Sequence, residues 1–328
     1  MREKRLAWVL VLGAVVFLAI LPRFLSSSML MVFFSGFLWL VLTANYDILG
    51  GFLGYIHLAQ GTFFGVGAYT ATLLLKIPAI QSTGVFAIPL VSLVAILLTG
   101  LFAAAISTPL FRLKGLYSAV ATLVLVFLLR SLVMNLPSLT GGTYGAFIPR
   151  QYYQNTLISY YYGLVLAIIS VGINYYLSRS KRGLCFIAIR EDEKVAGSLG
   201  LNATRQKTIA YVLSSLPSGA AGIVFALNSG FIDTLIALGI ERSLLPPLMA
   251  LLGGTGLVFG PVLGVIILRL MDTVLFHYVK LPVPSMVLFG IVLMLVALFI
   301  PGGLLKSHWV QKVARPWTVK TKNTQKEI

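Results

Sequence analysis

Long apolar stretches separated by short polar segments dominate the chain. Ten of them approach the ~20 residues that a helix needs to cross ~30 Å of hydrocarbon. They lie near residues 6–22, 30–45, 53–75, 85–107, 116–135, 157–177, 209–229, 243–256, 258–279 and 285–303. This pattern predicts an all-α polytopic membrane protein with about ten transmembrane helices, built as a single membrane domain over residues 1–328. The first stretch is expected to stay as an uncleaved span, because no small-residue cleavage pattern follows it.

The third stretch, GGFLGYIHLAQGTFFGVGAYTATLLL, is rich in glycine and contains His57 and Gln60. Its clean helical part, Thr62 to Leu75, would be only ~21 Å long at ~1.5 Å per residue. The helix is therefore predicted to begin inside the bilayer, after irregular backbone from Gly54 to Gly61. Such backbone is tolerated at depth only inside protein or beside a water-filled cavity. The exposed helix N-terminus would suit an anionic group such as a carboxylate.

The second half contains a counterpart, GIERSLLPPLMALLGGTGLVFGPVLG, over residues 239–264. Pro246 and Pro247 are predicted to set where a helix starts. Four glycines are predicted to end or redirect it: Gly253, Gly254, Gly256 and Gly260. Two interrupted helices of opposite direction, one per half, indicate inverted repeats around a solute path. The alternative is that the glycines merely allow close helix packing, which does not account for the polar residues or the double proline.

Charge is scarce and unevenly placed. The mean hydropathy is +0.95 and only 10% of residues are charged, with a net charge of +16. If the N-terminus is cytoplasmic, segments 1–5, 107–115, 178–208 and 304–328 face the cytoplasm and carry 18 Lys and Arg. The outward segments carry five: Arg23, Lys76, Arg150, Arg242 and Lys280. This bias follows the positive-inside rule, so both termini are predicted to be cytoplasmic and no nucleic-acid partner is expected.

The chain lacks the residue groups of an enzyme site. The acids near span interiors are Asp47 and Asp272, and Asp272 is predicted to pair with Arg269 three residues earlier. His57 has no acid or second histidine nearby in sequence, and the lone Cys185 excludes an internal disulfide and a thiolate metal site. No phosphate-binding loop motif is present. We therefore expect no catalytic residue, no metal and no cofactor in this chain, and energy supplied by another protein for any uphill transport.

The segment REDEKVAGSLGLNATRQK, residues 190–207, holds three of the nine acidic residues: Glu191, Asp192 and Glu193. It lies in the predicted cytoplasmic loop 178–208 and indicates one or two short helices. The acids would occupy a first turn, and Val195 and Ala196 would face a partner. Gly197 and Gly200 would then turn the chain, before capping by Asn202 and Thr204. The alternative is an ordinary solvated loop.

Five motifs in matching order resemble the permeases of branched-chain amino acid ABC importers, of the LivM type. In chain order they are GFLGYIHLAQGTFFGVGAYTA (51–71), KGLYSAVATL (114–123), LTGGTYG (139–145), IREDEKVAGSLGLNATRQK (189–207) and LLGGTGLVFGPVLG (251–264). The resemblance covers roughly residues 30–305. It implies a multi-pass permease subunit of a prokaryotic plasma (inner) membrane. Its expected partners are a second permease subunit, two cytoplasmic ATPases that bind the ATP, and an extracytoplasmic solute-binding protein.

The resemblance also assigns roles by position. It implies an ATPase-coupling surface formed by Glu191, Asp192, Glu193, Ala196 and Gly200. It implies a substrate pathway along Tyr55, His57, Gln60, Gly61, Thr62, Thr140, Gly141 and Gly142. The family often has Ser at position 57 and aliphatic residues at 246 and 247, so urea, short amides and other amino acids remain alternative solutes. The rival class is a secondary transporter or channel that works alone and needs no docking helix.

Overall fold

The computed structural model describes residues 2–113, 115–274, 290, 291, 294 and 304–306. The helices are α1 Arg2–Ile20, α2 Ser27–Asp47, α3 Gln60–Leu74, α4 Pro78–Gln81, α5 Ala87–Leu110, α6 Leu116–Met134, α7 Pro137–Thr140, α8 Thr156–Arg179, α9 Lys181–Glu191, α10 Glu193–Ser198, α11 Ala203–Ser229, α12 Thr234–Ala237, α13 Glu241–Gly253 and α14 Gly260–Asp272. A π-helical turn, Ile48–Phe52, continues α2. Two short strands, β1 Ala146–Phe147 and β2 Phe231–Ile232, pair antiparallel.

The all-helical, multi-pass prediction is confirmed, but a count of about ten spans is not. Within the described part of the chain, six segments are long and apolar enough to cross a membrane. They are Ser27–Phe52, Ala87–Leu110, Leu116–Met134, Thr156–Arg179, Ala203–Ser229 and Thr234–Gly253. Within the described side chains, the predicted span 6–22 contributes an apolar helix over Leu12–Arg23. The predicted span 285–303 and most of the tail 304–328 lie outside the described residues.

Several helices begin at a polar residue whose side chain accepts a backbone N–H, which satisfies a donor that the helix itself leaves free. These N-cap residues are Ser26 for α2, Ser180 for α9, Asp192 for α10, Asn202 for α11 and Asp233 for α12. The predicted capping by Asn202 is thus confirmed. Three of these caps lie between residues 180 and 202, so local sequence accounts for the turns that join α8 to α11.

Helix α11 lies at the centre of the bundle and packs against α2, α3, α5 and α8. Glycines allow the closest of these approaches. A Cβ atom on Gly67 of α3 would overlap the backbone carbonyl of Gly219, and one on Gly222 of α11 would overlap the carbonyl of Phe64. Helices in lipid associate through close backbone contact of this kind, because burying apolar side chains contributes little free energy of association there. The contact fixes α3 against α11 along much of its length.

The predicted interruption before α3 is present. Backbone from Leu53 to Ala59 is irregular, and α3 starts at Gln60, two residues earlier than predicted. Gly54 has a φ of +69°, and a Cβ there would collide with the Arg190 side chain. The N–H of Leu58 donates to Thr122 Oγ1 at 2.8 Å. These contacts anchor the irregular stretch to the protein, while Gly54 and Ile56 remain exposed within it.

The prediction that Pro246 and Pro247 set a helix start is wrong. Helix α13 already begins at Glu241, and both prolines lie inside it. The helix starts with hydrogen bonds to the carbonyl three residues earlier: the N–H of Arg242 donates to Gly239, and the N–H of Ser243 donates to Ile240. The predicted end is confirmed: α13 stops at Gly253, and Gly254 and Gly256 have φ of +113° and +76°.

Candidate functional site

The N-terminus of α3 lies halfway along the bundle. Helix α11 has 27 residues and is therefore ~40 Å long. Gln60, the first residue of α3, bonds to Ser214 and Ser218, which flank the midpoint of α11. From there α3 runs parallel to α11, since Phe64 and Ala68 meet Gly222 further along. A helix that begins at this level covers only part of the bundle's thickness.

The N-terminus of α13 meets α3 at the same level. The N–H of Gly61 donates to Ser243 Oγ at 3.1 Å. Helix α13 then runs towards the end of the bundle that carries α9 and α10, because the loop after it places Gly256 N 2.9 Å from Asp47 Oδ1. We refer to this end as the α9–α10 end. Two short helices thus begin side by side in the middle of the bundle and run in opposite directions.

A buried polar network surrounds Gln60. Its amide nitrogen donates to Ser214 Oγ at 2.9 Å and contacts His57 Nε2 at 3.2 Å, and its Oε1 accepts from Ser218 Oγ at 2.6 Å. Ser214 Oγ in turn donates to the carbonyl of Asn45 at 2.8 Å. These polar side chains are buried in the bundle. The interactions are neutral hydrogen bonds, which can orient a polar solute but supply neither a nucleophile nor an acid–base pair.

His57 is enclosed by aromatic rings. It stacks on Tyr46, with ring centroids 5.1 Å apart and an interplanar angle of 9°, and it meets Tyr211 edge-on at 5.9 Å. Thr62 is also fully buried in the first turn of α3. A solute can reach His57, Gln60 and Thr62 only after the surrounding helices separate. The structure therefore shows this region closed.

The remaining predicted pathway residues lie at the two ends of the bundle. Tyr55 is at the α9–α10 end, where its hydroxyl accepts from Lys207 Nζ at 3.1 Å and its ring meets Phe111. Thr140, Gly141 and Gly142 are at the opposite end, in a turn where Gly142 N donates to Thr140 Oγ1 at 3.1 Å. The predicted residues thus follow the length of α3 and the segment before it, and they do not form one cluster.

A cavity joins the Thr140 turn to α3. Its volume is about 210 Å³, and Thr140, Gly65 and Tyr69 contribute to its wall. Gly65 and Tyr69 lie more than one and more than two turns beyond the start of α3, on the side that leads away from the α9–α10 end. The C-terminal half of α3 therefore borders this cavity, while its N-terminus is enclosed.

The acidic cluster makes mostly internal contacts. Glu191 pairs with Arg190 at 2.8 Å, and Asp192 caps α10 by accepting from the N–H groups of Lys194 and Val195. Glu193 pairs with Lys207 at 2.8 Å, and the Lys207 side chain is only 2% exposed. The three acids therefore do not share a first turn as predicted: Glu191 ends α9 and Glu193 begins α10.

The expectation that the side chain of Ala196 faces a partner is wrong. Ala196 is 1% exposed and packs into the chain's own core at the α9–α10 end. Helical periodicity places Val195 and Leu199 together on the outer face instead, and they are 56% and 76% exposed. Gly200 follows with a φ of +83° and open space around its Cβ position. Val195 and Leu199 thus form a small apolar patch on the exposed surface of α10, next to exposed polar residues such as Lys194.

Sequence reasoning missed several residues that the fold brings to these regions. Ser214 and Ser218, one helical turn apart, were a usable signal for the network around Gln60. In the sequence, Lys207 and Arg242 resemble ordinary charged residues of exposed loops. In the structure, both side chains make specific contacts. Lys207 is buried, and Arg242 stands in the first turn of α13 with its guanidinium over the ring of Phe64 at 4.0 Å.

The predicted pair between Arg269 and Asp272 is confirmed at 2.7 Å. In the described part of the chain, no three His, Cys, Asp or Glu residues are grouped so that they could hold a metal ion. Cys185 lies within α9 as a free thiol.

Fold and site together define a multi-pass membrane protein with two interrupted helices that meet inside the bundle. A sequence model of the family described as "Branched-chain amino acid transport system / permease component" matches residues 28–297. The chain therefore belongs to this permease family.

Individual relatives agree with the family. The LivM permease protein of the high-affinity branched-chain amino acid transport system of Escherichia coli is 26% identical over 82% of this chain and 68% of its own length. The BraD protein of the corresponding system in Pseudomonas aeruginosa is 25% identical over 85% and 94%. The LsrC permease protein of the autoinducer 2 import system of Escherichia coli is 28% identical over 87% and 84%. No solved structure matches the chain significantly.

Proposed function

We propose that this chain is a pathway-forming permease subunit of an ATP-driven importer for branched-chain or related amino acids. It works with a second permease subunit, two cytoplasmic ATPases that bind and hydrolyse ATP, and an extracytoplasmic solute-binding protein. The complex lies in a prokaryotic plasma membrane, with the α9–α10 end and both termini in the cytoplasm. Membership of the permease family, over residues 28–297, supports this assignment of class and solute.

The observation that carries the proposal is the meeting of α3 and α13 in the middle of the bundle. Gly61 and Ser243 join the two helix N-termini beside the buried side chain of Gln60. Helix N-termini at mid-membrane favour anionic solute groups in transporters built from interrupted helices. This point becomes the solute path when the closed network around Gln60 opens.

The α9–α10 region links a docking surface to the interrupted helix. Val195 and Leu199 form the apolar patch that would contact an ATPase. On the inner side, Arg190 Nη1 donates to the carbonyl of Gly51 at 2.9 Å, and Lys207 bonds to both Glu193 and Tyr55. These bonds connect α9 and α10 to the backbone that precedes α3. Movement of the ATPases would thus be passed to the start of α3 and shift the balance between two states.

The test is uptake of labelled L-leucine by proteoliposomes that contain the assembled complex with its binding protein. We expect uptake to require ATP and both ATPases. Gln60→Leu removes three polar contacts beside the α3 N-terminus, and we expect it to lower uptake at least about tenfold, or ~1.4 kcal/mol. The matched control, Gln151→Leu, changes an exposed glutamine at the opposite end and should transport normally.

Two outcomes would contradict the proposal in different ways. Leucine uptake by this chain without the ATPases would identify a transporter that works alone. Normal uptake and selectivity in Gln60→Leu would remove the α3 N-terminus from the path, while leaving the ATP-driven permease in place.

A further inference from the structure

A second cavity, of about 220 Å³, lies between α2, α11 and α13. Phe34, Leu38 and Leu42 of α2 form an apolar wall. Its polar lining includes Ser35, Asn228, Ser229 and Arg242. Met31, near the start of α2, is 48% exposed and lines the end that is remote from α9 and α10. The cavity thus combines an apolar wall with a cation, and it extends to an exposed residue at the end of the bundle remote from α9 and α10.

No ion pair holds Arg242 in place, although the neighbouring Glu241 adds an attractive charge interaction. The Arg242 Nε donates to the carbonyl of Ile236 at 2.8 Å, and the guanidinium carbon lies 4.0 Å from the ring centre of Phe64 and 4.5 Å from that of Phe225. Among the described residues, no carboxylate lies within 4.0 Å of this guanidinium, and its two terminal nitrogens have no hydrogen-bond acceptor. By contrast, Arg269 on α14 is neutralised by Asp272.

An arginine within a transmembrane bundle is costly unless something compensates its charge. Two aromatic faces offset part of that cost. They leave the fork of terminal nitrogens free, and this fork matches a carboxylate or a phosphate with two parallel hydrogen bonds. The geometry therefore favours an anionic group at Arg242.

The rest of the cavity indicates which anion fits. Asn228 donates its amide N–H to Ser159 Oγ at 3.0 Å, which leaves its Oδ1 as an acceptor for an ammonium group. The apolar wall suits an aliphatic side chain. The volume is below the ~300–1,000 Å³ typical of sites for drug-sized ligands. A small amino acid with an apolar side chain meets all three conditions. An anionic lipid, whose phosphate could also meet Arg242, is distinguished from it by the test below.

We propose that this cavity is an entry site that binds the carboxylate of the transported amino acid at Arg242, before the solute reaches the start of α3. The proposal rests on the proposed function, and it adds a residue, Arg242, that contacts the solute. It also gives a route, because Arg242 and Ser243 are adjacent and Ser243 bonds to Gly61.

The cavity contains its own reporter, Trp39. We would titrate the assembled complex, in nanodiscs of zwitterionic lipid and without the binding protein, with L-leucine and with L-leucinamide, which lacks the carboxylate. We expect a saturable change in tryptophan fluorescence with leucine, and at least about tenfold weaker binding of leucinamide, equivalent to ~1.4 kcal/mol. The leucine signal should disappear in Trp39→Phe.

Variants then assign the carboxylate contact. Arg242→Gln should weaken leucine binding at least about tenfold. Arg242→Lys should weaken it less, because lysine keeps the positive charge although it loses the two-pronged donor. The matched control Arg150→Gln changes an exposed arginine at the same end and should bind leucine normally. The comparison of leucine with leucinamide uses the unmodified protein, so it decides the question even if Arg242→Gln does not assemble.

Equal binding of leucine and leucinamide, or of leucine to the parent protein and Arg242→Gln, would overturn the proposal. A fluorescence change that follows added anionic lipid, with no response to leucine, would also overturn it and would identify a lipid phosphate as the occupant. Leucine uptake, measured after the same purified complex is reconstituted into proteoliposomes with its binding protein, separates the two hypotheses. Normal uptake with no Arg242-dependent binding rejects the entry site alone, while absence of uptake by the parent complex rejects the proposed function.

Discussion

At the scale of single residues, the acids at 191–193 mainly make contacts within the chain. Glu191 pairs with Arg190, Asp192 caps α10, and Glu193 neutralises Lys207. Lys207 also lies over the Tyr55 ring at 4.2 Å. A run of charges that resembles a docking surface in sequence thus fastens α10 to the segment that precedes α3.

The pair Glu193–Lys207 predicts an asymmetry between two substitutions. Glu193→Gln leaves the ammonium of Lys207 buried, whereas Lys207→Met leaves a carboxylate that is 45% exposed and can be hydrated. Breaking a buried pair costs ~3–5 kcal/mol, and partial exposure of Glu193 reduces this to roughly 1–3 kcal/mol. We therefore expect Glu193→Gln to lower the thermal midpoint of the purified complex more than Lys207→Met does.

The double variant completes the test. If the effect arises from the unpaired ammonium, Glu193→Gln combined with Lys207→Met should be close to Lys207→Met alone, since the buried charge is gone in both. Lys194→Met changes an exposed lysine on the same helix and serves as the control. A larger loss for Lys207→Met than for Glu193→Gln would show that packing of the lysine stem, and not its charge, stabilises this contact.

At the scale of elements, the short helix α10 presents two faces with different roles. Ala196 packs inwards, while Val195 and Leu199 are exposed on the end that we assign to the cytoplasm. A charge reversal at Glu193 would place a second ammonium beside Lys207, so it would disturb the fold as well as any docking. The outer leucine therefore gives a cleaner test of partner binding.

We predict that Leu199→Asp prevents the ATPases from co-purifying with the permease, with at least about tenfold less bound, or ~1.4 kcal/mol. Leu199 is 76% exposed, so the change should leave the thermal midpoint of the permease nearly unchanged. The control is Leu235→Asp, which alters a leucine that is 63% exposed at the opposite end. Normal ATPase binding by Leu199→Asp would rule out this face of α10 as the docking surface.

The accuracy of the sequence predictions varied from element to element for physical reasons. The start of α3 was predicted to within two residues, because clustered glycines and polar residues mark a break inside apolar sequence. The start of α13 was not, because local i−3 bonds from Arg242 and Ser243 begin that helix before its prolines. Partners across the bundle, such as Ser218 for Gln60, depend on helix packing, which periodicity does not specify.

At the scale of the whole molecule, the fold places the two most basic segments between helices at the same end of the bundle. Ser107 and Thr208 are 3.0 Å apart, so the basic segments 107–115 and 178–208 lie together at the α9–α10 end. Arg150 lies at the other end, next to the β1–β2 pair. Sequence predicted this separation through its charge bias, whereas the number of spans depended on apolar length alone, which does not distinguish a crossing helix from a partial one.

This separation predicts which end faces the cytoplasm. Membrane insertion favours basic loops inside, so the α9–α10 end should be cytoplasmic and the turn at Tyr144, which is 89% exposed, should face outwards. With Cys185 replaced by serine, single cysteines can be introduced as Lys194→Cys, Lys320→Cys or Tyr144→Cys. A membrane-impermeant maleimide added to intact cells should label only the Tyr144→Cys variant, and permeabilised cells should be labelled at all three positions. External labelling at position 194 with protection at position 144 would show that the topology is the reverse of the predicted one. The apolar face of α10 would then lie on the side without ATP, and an ATPase could not dock there.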